Sequence, residues 1–316
     1  IPFAWKMASR FVAGETSDEA IQVVKELNHK GINATLDYLG ENTHSTEEAR
    51  HSTEQILNVL DEIHISKVHS NVSIKLSQIG LTIDENICRQ NLEEILKRAH
   101  AYSNFVRIDM EDSSVTDQTI ALLKWALNKG FLNTGIVLQA YLYRTKDDLV
   151  DLTSQGIRIR LCKGAYNEPS SVAYPKLADV NTNYDTLSYL LIQAAQNPEF
   201  PKLSQDGRIP PLAAIASHDP QRITSAQKWI EDLHLPKKAV EFQMFLTAVN
   251  AVGEIGNAVY GGRSVIVSPW GEVIARGSDR DEELVTAEID LNEVERVRKH
   301  LPVLRDRRTD LFPDSL

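Results

Sequence analysis

Short apolar runs recur along residues 1–244, and a polar side chain stands at the end of most of them. Short runs rich in Val, Ile and Leu are typical of buried parallel strands. Packing alone does not explain a charge or an amide at the end of each run. In a β/α barrel the strand ends converge on one mouth, which holds the functional site. The polar residues at these ends are Lys75, Asp109, Gln139, Lys163, His218 and Gln243.

Helix-like segments alternate with these runs and carry start and stop signals. Thr16 followed by Glu19 predicts a capping box, and Gly31 ends that helix. Further helices are predicted from Ser45, over residues 84–102 and 116–128, and from Thr145, Asn181 and Asp219. Seven strands separated by helices predict a parallel α/β architecture. The even spacing and the polar strand ends favour a distorted (β/α)8 barrel of the TIM type over an open sheet.

The βα alternation stops after residue 244. Residues 263–277, RSVIVSPWGEVIARG, predict two short strands joined by Pro-Trp-Gly. Residues 283–291 predict a further strand, and residues 291–300 a helix. The pattern therefore divides the chain into a barrel over residues 1–244 and an atypical β-rich segment over residues 245–316.

Size and charge narrow the class of protein. The chain has 316 residues, and one barrel of roughly 250 residues uses most of them. Its net charge of −10 gives no electrostatic footprint for nucleic acid. The two cysteines, Cys88 and Cys162, make a disulfide framework improbable and indicate inert core thiols in a reducing compartment. With no long apolar span and no leader pattern, a soluble cytoplasmic protein is expected.

Two groups of charged residues suggest chemistry, and each has a structural alternative. Arg160 and Lys163 with Gly164 suit an anion or an electron-rich ring, or form a basic strand end paired with carboxylates. Lys75 and Asp109 form either a structural ion pair or a site for the two charges of a zwitterionic substrate. Their position at strand ends favours function.

His218 and the other histidines give weaker signals. His218 suits a base, a metal ligand or, most often for an isolated histidine, a satisfied polar core group. No metal is expected, because His44, His51, His64 and His69 lack ligand spacing and no HExxH motif occurs. The sequence also contains no GxGxxG or GxSxG element, so neither a Rossmann dinucleotide site nor a serine-hydrolase elbow is predicted.

A series of motifs resembles the proline dehydrogenase family over about residues 10–244. They are RFVAGET, ATLDYLGEN, SIKLSQIGL, VRIDMEDS, GIVLQAYLYRT, RIRLCKGAYNEP, ASHD and VEFQM, in the order of that family. The resemblance implies a distorted β/α barrel that binds FAD non-covalently. It also implies oxidation of L-proline to 1-pyrroline-5-carboxylate, with hydride transfer to flavin N5 and electrons passed to a quinone. Peripheral contact with the inner membrane is compatible with that acceptor.

The resemblance also assigns residues. Lys75 is expected to meet the substrate carboxylate, Asp109 to support the substrate pocket and Arg160 to tune the flavin, with Tyr166 completing the catalytic set. The expected FAD-binding residues are Met110, Val137, Gln139, Arg160, Lys163, Gly164, Ala165, Tyr166, His218 and Gln243.

The match departs from the family after VEFQM. Proline dehydrogenases continue into an eighth strand and a helix whose double arginine clamps the substrate carboxylate. Residues 245–316 instead resemble the C-terminal part of nitrilase-type carbon–nitrogen hydrolases, so the sequence has the character of a chimera. Arg307 and Arg308 are interpreted as a solvated or interfacial cluster rather than as the clamp. Strand 263–268 is a candidate for the eighth position, and the segment also offers a surface for a homo-oligomer.

Three functions follow from this pattern. The first is a proline dehydrogenase whose turnover is weakened by the missing clamp. The second is a non-catalytic chain, either a chimera that binds flavin loosely or a structural dimerising module. The third, far less supported, is a carbon–nitrogen amidase, because neither Cys88 nor Cys162 lies in the nucleophile motif of that family.

Overall fold

The computed structural model describes residues 16–38, 43–236 and 238–243 with their side chains, and the backbone of four short strands between residues 252 and 276. Residues Thr16–Phe245 form one compact unit, and the four short strands belong to a second. A boundary between two domains after residue 244 stays a prediction. No helix in the described ranges is long and apolar enough to cross a membrane.

The first unit is built on a sheet of seven parallel strands in chain order. A helix connects each strand to the next, which is the arrangement that parallel neighbours require. The strands are β1 Ala34–Asp37, β2 Ser70–Ile74, β3 Val106–Ile108, β4 Thr134–Gln139, β5 Arg158–Cys162, β6 Ala213–Ala216 and β7 Val240–Gln243.

The helices begin and end largely at the signals in the sequence. They are α1 Ser17–His29, α2 Thr46–Ser66, α3 Glu85–Ala101, α4 Thr116–Asn128, α5 Thr145–Ser154, α6 Leu177–Ala194 and α7 Pro220–Asp232. Thr16 and Glu19 form the predicted capping box at α1. Ser45 and Asp84 cap α2 and α3 with their side chains.

Helix α6 differs from its prediction. It begins at Leu177, four positions before the expected start at Asn181. Val180 is buried and packs in a cluster with Tyr141 and Leu142, beside the loop that follows β4. This contact holds the turn before Asn181 in helical conformation, so tertiary packing outweighs the local capping signal.

Contacts between side chains that are several strands apart show that the sheet is strongly curled. Neighbouring strands lie about 4.8 Å apart, so β3 and β7 would be separated by about 19 Å in a flat sheet. Arg107 of β3 nevertheless lies 3.7 Å from Glu241 of β7, measured from Nη2 to Oε2. Arg160 of β5 also donates to Ser73 of β2 at 3.2 Å. The predicted β/α-barrel class is therefore confirmed, with β1 and β7 as the sheet edges within the described residues.

A loop over residues 201–212 covers the amino ends of the strands. Asn71 donates to the carbonyl of Arg208 at 2.9 Å, and Asn33 donates to that of Gly207 at 3.3 Å. Arg208 reaches the carbonyl of Tyr102 at 3.4 Å. These bonds hold the loop over the amino ends of the strands, opposite the polar strand ends.

The second unit contains two antiparallel strand pairs, β8 Val252–Ile255 with β9 Ala258–Gly261, and β10 Val265–Val267 with β11 Val273–Arg276. The hairpin predicted over residues 263–277 is confirmed by the second pair. Its first strand pairs with β11 in a two-stranded sheet. The strand predicted over 283–291, the helix predicted over 291–300, and Arg307 and Arg308 lie outside the described residues, as do RFVAGE and residues 39–42 of the second motif.

Candidate active site

The six polar residues singled out in the sequence all lie at or just beyond the carboxyl ends of the strands. Gln139 and Gln243 are the last residues of β4 and β7. Lys75, Asp109 and Lys163 directly follow β2, β3 and β5, and His218 lies two positions past β6. Because the strands are parallel and the sheet is curled, these residues share one rim.

Asp109 is the centre of a charged cluster on this rim. Its Oδ1 accepts from Arg160 Nη2 and from Ser73 Oγ, both at 2.5 Å. Lys75 Nζ lies 3.7 Å from the other carboxylate oxygen. The side chains of Lys75, Asp109 and Arg160 are only 15–17% exposed, so their attraction is screened little by solvent. The ion pair that the sequence suggested between Lys75 and Asp109 is therefore present.

Asp37 belongs to the same cluster, although sequence reasoning left it out. It is the last residue of β1, and its Oδ2 lies 3.1 Å from Lys75 Nζ. Burial raises its pKa to about 6, against a lowering by Lys75 and a further raising by Asp109. The signal was available, because Asp37 ends the apolar run of the first strand just as Lys75 follows the second.

A second set of contacts runs from Arg160 across the barrel interior. Arg160 Nη1 donates to Gln243 at 3.1 Å, and Gln243 Nε2 donates to Glu241 at 2.9 Å. Glu241 faces Arg107, which is 2% exposed and whose guanidinium lies 5.3 Å from the ring centre of Phe105. Burial, and next the charge of Arg160, lower the pKa of Arg107 to about 10. This chain of contacts fixes the position of Arg160.

Gln139 is buried, and one atom of its side-chain amide has no hydrogen-bond partner among the described residues. Its Nε2 donates to the carbonyl of Met110 at 2.9 Å, while its Oε1 is buried without a hydrogen-bond partner among the described residues. Val137 lies beside Arg160 in the register of β4 and β5 and is also buried. A buried acceptor of this kind suits a ligand N–H group.

The loop after β5 has an unusual backbone. Gly164 has a φ of +118°, and a Cβ atom there would overlap the ring of Tyr141. Only glycine tolerates both conditions, so the loop passes closely over Tyr141. Ala165 is exposed and Tyr166 is half-buried. The loop therefore presents its backbone and Tyr166 at the rim.

Lys163 and His218 lie on the part of the rim near α7. Lys163 Nζ lies 2.8 Å from Asp219 Oδ2, and Asp219 also caps α7 through Gln221. His218 is exposed, so its interpretation as a core group is wrong. The structure joins Lys75, Asp109, Arg160 and Gln243 directly, whereas Lys163 and Gln139 make separate contacts on the same rim.

The remaining candidates for other chemistry are weak. No cluster of three or more His, Cys, Asp or Glu side chains suited to a metal occurs within the described ranges. Both cysteines are free. Burial raises the pKa of Cys162 to about 11 and raises that of Cys88 further, and both shifts disfavour the reactive thiolate.

The last part of the chain is similar to carbon–nitrogen hydrolases. A 2-oxoglutaramate amidase of Bacillus subtilis is 44% identical over 75 residues, which are 24% of this chain and 29% of the amidase. The resemblance of the C-terminal segment to this class is thereby confirmed. The chain spans less than a third of that relative.

The larger part of the chain matches proteins of one family. A proline dehydrogenase of Deinococcus radiodurans is 34% identical over 244 residues, which are 76% of this chain and 74% of that protein. The structure superposes on proline utilization A (PutA) from Bdellovibrio bacteriovorus with a TM-score of 0.66 and 25% identity, over 76% of this chain and 28% of the PutA chain. The family model described as proline dehydrogenase matches residues 20–275. The chain therefore belongs to the proline dehydrogenase family.

Proposed function

We propose that the chain binds FAD non-covalently and oxidises L-proline to 1-pyrroline-5-carboxylate, passing the electrons to a quinone. The observation that carries this proposal is the contact of Lys75, Asp109 and Arg160 at the carboxyl rim of a barrel whose sequence belongs to the proline dehydrogenase family. Sites of β/α barrels lie at this rim.

The residues of the rim fit a flavin nucleotide. The Oε1 of Gln139, which has no hydrogen-bond partner in the part of the chain that the structure describes, is an acceptor for an N–H group of the flavin ring. Lys163 places an ammonium group on this rim, and an ammonium group suits a phosphate of the cofactor. Gly164 lets the loop after β5 pass closely over Tyr141, and we assign this loop, with Gly164, Ala165 and Tyr166, to the cofactor together with the exposed His218. Met110, Val137 and Gln243 complete the proposed lining.

The charged cluster suits a zwitterionic amino acid. Lys75 offers an ammonium group to the substrate carboxylate, and Asp109 holds Lys75 and Arg160 in place through its two oxygens. When bound, the flavin supplies the hydride acceptor. Arg160 supplies positive charge near the ring, which stabilises the anionic reduced form. Tyr166, half-buried in the loop after β5, completes the catalytic set that the family resemblance implies.

The setting of the enzyme is part of the proposal. We propose a cytoplasmic protein that meets a membrane quinone by peripheral contact, and a homo-oligomer formed through the C-terminal segment. These features rest on the family resemblance and on the character of residues 245–316.

The test is steady-state oxidation of L-proline by the FAD-reconstituted protein with a soluble quinone analogue as acceptor. We expect bound flavin absorbance, acceptor reduction and formation of 1-pyrroline-5-carboxylate. Lys75→Met should lower kcat/KM by about 10- to 100-fold, the range for one charge-assisted hydrogen bond. Lys97→Met is the matched control, since Lys97 is 65% exposed in a surface pair with Glu93. A protein that cannot be reconstituted with FAD contradicts the proposal.

A second candidate function is a flavin-binding chain without turnover. It is favoured by the amidase-like sequence of residues 245–316, which stands where the family resemblance implies the double-arginine clamp. This candidate predicts bound flavin but no acceptor reduction with L-proline. The same assay therefore separates the two functions.

A further inference from the structure

Asp37 has one oxygen that its surroundings leave unsatisfied. Oδ2 lies 3.1 Å from Lys75 Nζ, but Oδ1 is buried and has no hydrogen-bond partner among the described residues. A carboxylate oxygen removed from water and left unpaired is costly, and most buried polar atoms in folded proteins are paired. Such an atom at a substrate site points to a donor that arrives with the ligand.

The neighbouring carboxylate, that of Asp109, has more partners than Asp37. Asp109 Oδ1 accepts from both Arg160 and Ser73, and its Oδ2 faces Lys75. The charged groups acting on Asp37 are Lys75, Asp109 and Arg160, and Arg160 is committed to Asp109 and Gln243. Of the two acids beside Lys75, Asp37 is the one with a buried oxygen that has no hydrogen-bond partner among the described residues.

The pair of Asp37 and Lys75 matches the two charges of an α-amino acid. Such a molecule carries its carboxylate and its amine on one carbon, so a site needs a cation and an anion side by side. The 3.1 Å separation of Asp37 and Lys75 provides this arrangement. We propose that Asp37 Oδ1 binds the amine of the substrate while Lys75 binds its carboxylate. This inference rests on the proposed function and adds to it the residue that recognises the amine.

The proposal predicts that Asp37 matters only for ligands that carry an N–H donor in the ring. L-Proline presents an N–H donor, whereas its oxygen isostere, tetrahydrofuran-2-carboxylate, has the same carboxylate and no donor in the ring. Loss of the charge at Asp37 should therefore weaken the binding of L-proline and leave the binding of the isostere unchanged. Loss of Lys75 should weaken both.

The experiment uses the FAD-bound full chain and compares Asp37→Asn with the wild type. We measure kcat/KM for L-proline and the competitive inhibition constant of tetrahydrofuran-2-carboxylate. For Asp37→Asn we expect a loss of about 10- to 100-fold for L-proline and a change of less than about threefold for the isostere. Lys75→Met is the comparison variant and should weaken both ligands. Flavin content and thermal unfolding report whether each variant is folded.

Equal weakening of both ligands by Asp37→Asn would show that Asp37 only positions Lys75, and this would overturn the proposal. An unchanged kcat/KM for L-proline would also overturn it. Asp37→Ser, a smaller neutral residue, replaces Asp37→Asn if that variant does not fold. A wild-type protein that fails to oxidise L-proline contradicts the proposed function, whereas an active wild type with an indifferent Asp37 contradicts only this inference.

Discussion

At the residue scale, the site depends on charges that are held inside the barrel mouth rather than in water. Asp37, Asp109 and Glu241 alternate with Lys75, Arg160 and Arg107, so three anions balance three cations. The sequence predicts three of these six residues, Lys75, Asp109 and Arg160, because charged residues at the ends of apolar runs are conspicuous. It does not predict which of them touch, since contacts between strands that are distant in sequence depend on the curl of the sheet.

The buried charge of Asp37 should make stability depend on pH. Its pKa rises from an ordinary 3.8 to about 6 in the folded protein, so the folded state binds more protons than the unfolded state between these values. The contribution of Asp37 to stability is therefore present below about pH 4 and is lost as the pH rises to 6, by about 3 kcal/mol. In urea unfolding, the free energy of unfolding of Asp37→Asn should rise by this amount relative to the wild type between pH 4 and pH 7. If the difference in free energy of unfolding between the variant and the wild type does not change with pH, the raised pKa of Asp37 is not the cause.

Gly164 tests the close approach of the loop to Tyr141. Gly164→Ala combines a positive φ with overlap of the new Cβ and the ring, so we expect a loss of about 1–3 kcal/mol and weaker retention of FAD. Gly31→Ala is the matched control, because its φ is also positive but nothing lies within 4 Å. It should cost about 1 kcal/mol and leave FAD affinity unchanged. Equal FAD affinities of the two variants would show that the loop does not contact the cofactor.

At the element scale, β1 to β7 and their helices follow the hydrophobic pattern closely, and the exceptions have a tertiary cause. Capping residues predict the starts of α1, α2, α3 and α7. The start of α6 was not predictable, because it depends on the packing of Val180 against the loop after β4. The cross-barrel pair of Arg107 and Glu241 was also hidden, since it joins strands more than 130 residues apart in sequence.

Removal of one partner of the Arg107–Glu241 pair should cost more stability than removal of one partner of a surface pair. Arg107→Met leaves the carboxylate of Glu241 without its cation inside the barrel, and we expect a loss of about 3 kcal/mol in the free energy of unfolding. The double variant with Glu241→Gln removes both charges and should recover most of it. Arg98→Met breaks the more exposed pair with Asp61 and should cost at most about 1 kcal/mol. If the losses in free energy of unfolding caused by the two single substitutions simply add in the double variant, Arg107 and Glu241 do not interact.

At the scale of the whole molecule, two sequence families meet in one chain. The proline dehydrogenase match runs over residues 20–275, past the point where the βα alternation stops. Hydrophobic periodicity reveals the change of pattern at residue 244 and the hairpin formed by β10 and β11. It cannot reveal how far the sheet curls, because curvature is set by side-chain packing between strands and not by the period within a strand.

The amidase-like segment should bring no amidase activity. Its similarity covers only 24% of the chain, and burial raises the pKa of Cys162 to about 11, which leaves almost no thiolate at neutral pH. We expect no ammonia release from 2-oxoglutaramate above the uncatalysed rate. Ammonia release that disappears in Cys162→Ala would instead assign hydrolase chemistry to this chain.

We propose that the strand ends of the curled sheet form one site in which L-proline reduces a bound flavin. The most direct measurement is to mix the FAD-bound protein anaerobically with L-proline, without any quinone, and to follow the flavin absorbance in a single turnover. We predict that the oxidised band bleaches, and that bleaching is slowed in Lys75→Met but not in Lys97→Met. Bound flavin that stays oxidised in the presence of excess L-proline would contradict the account.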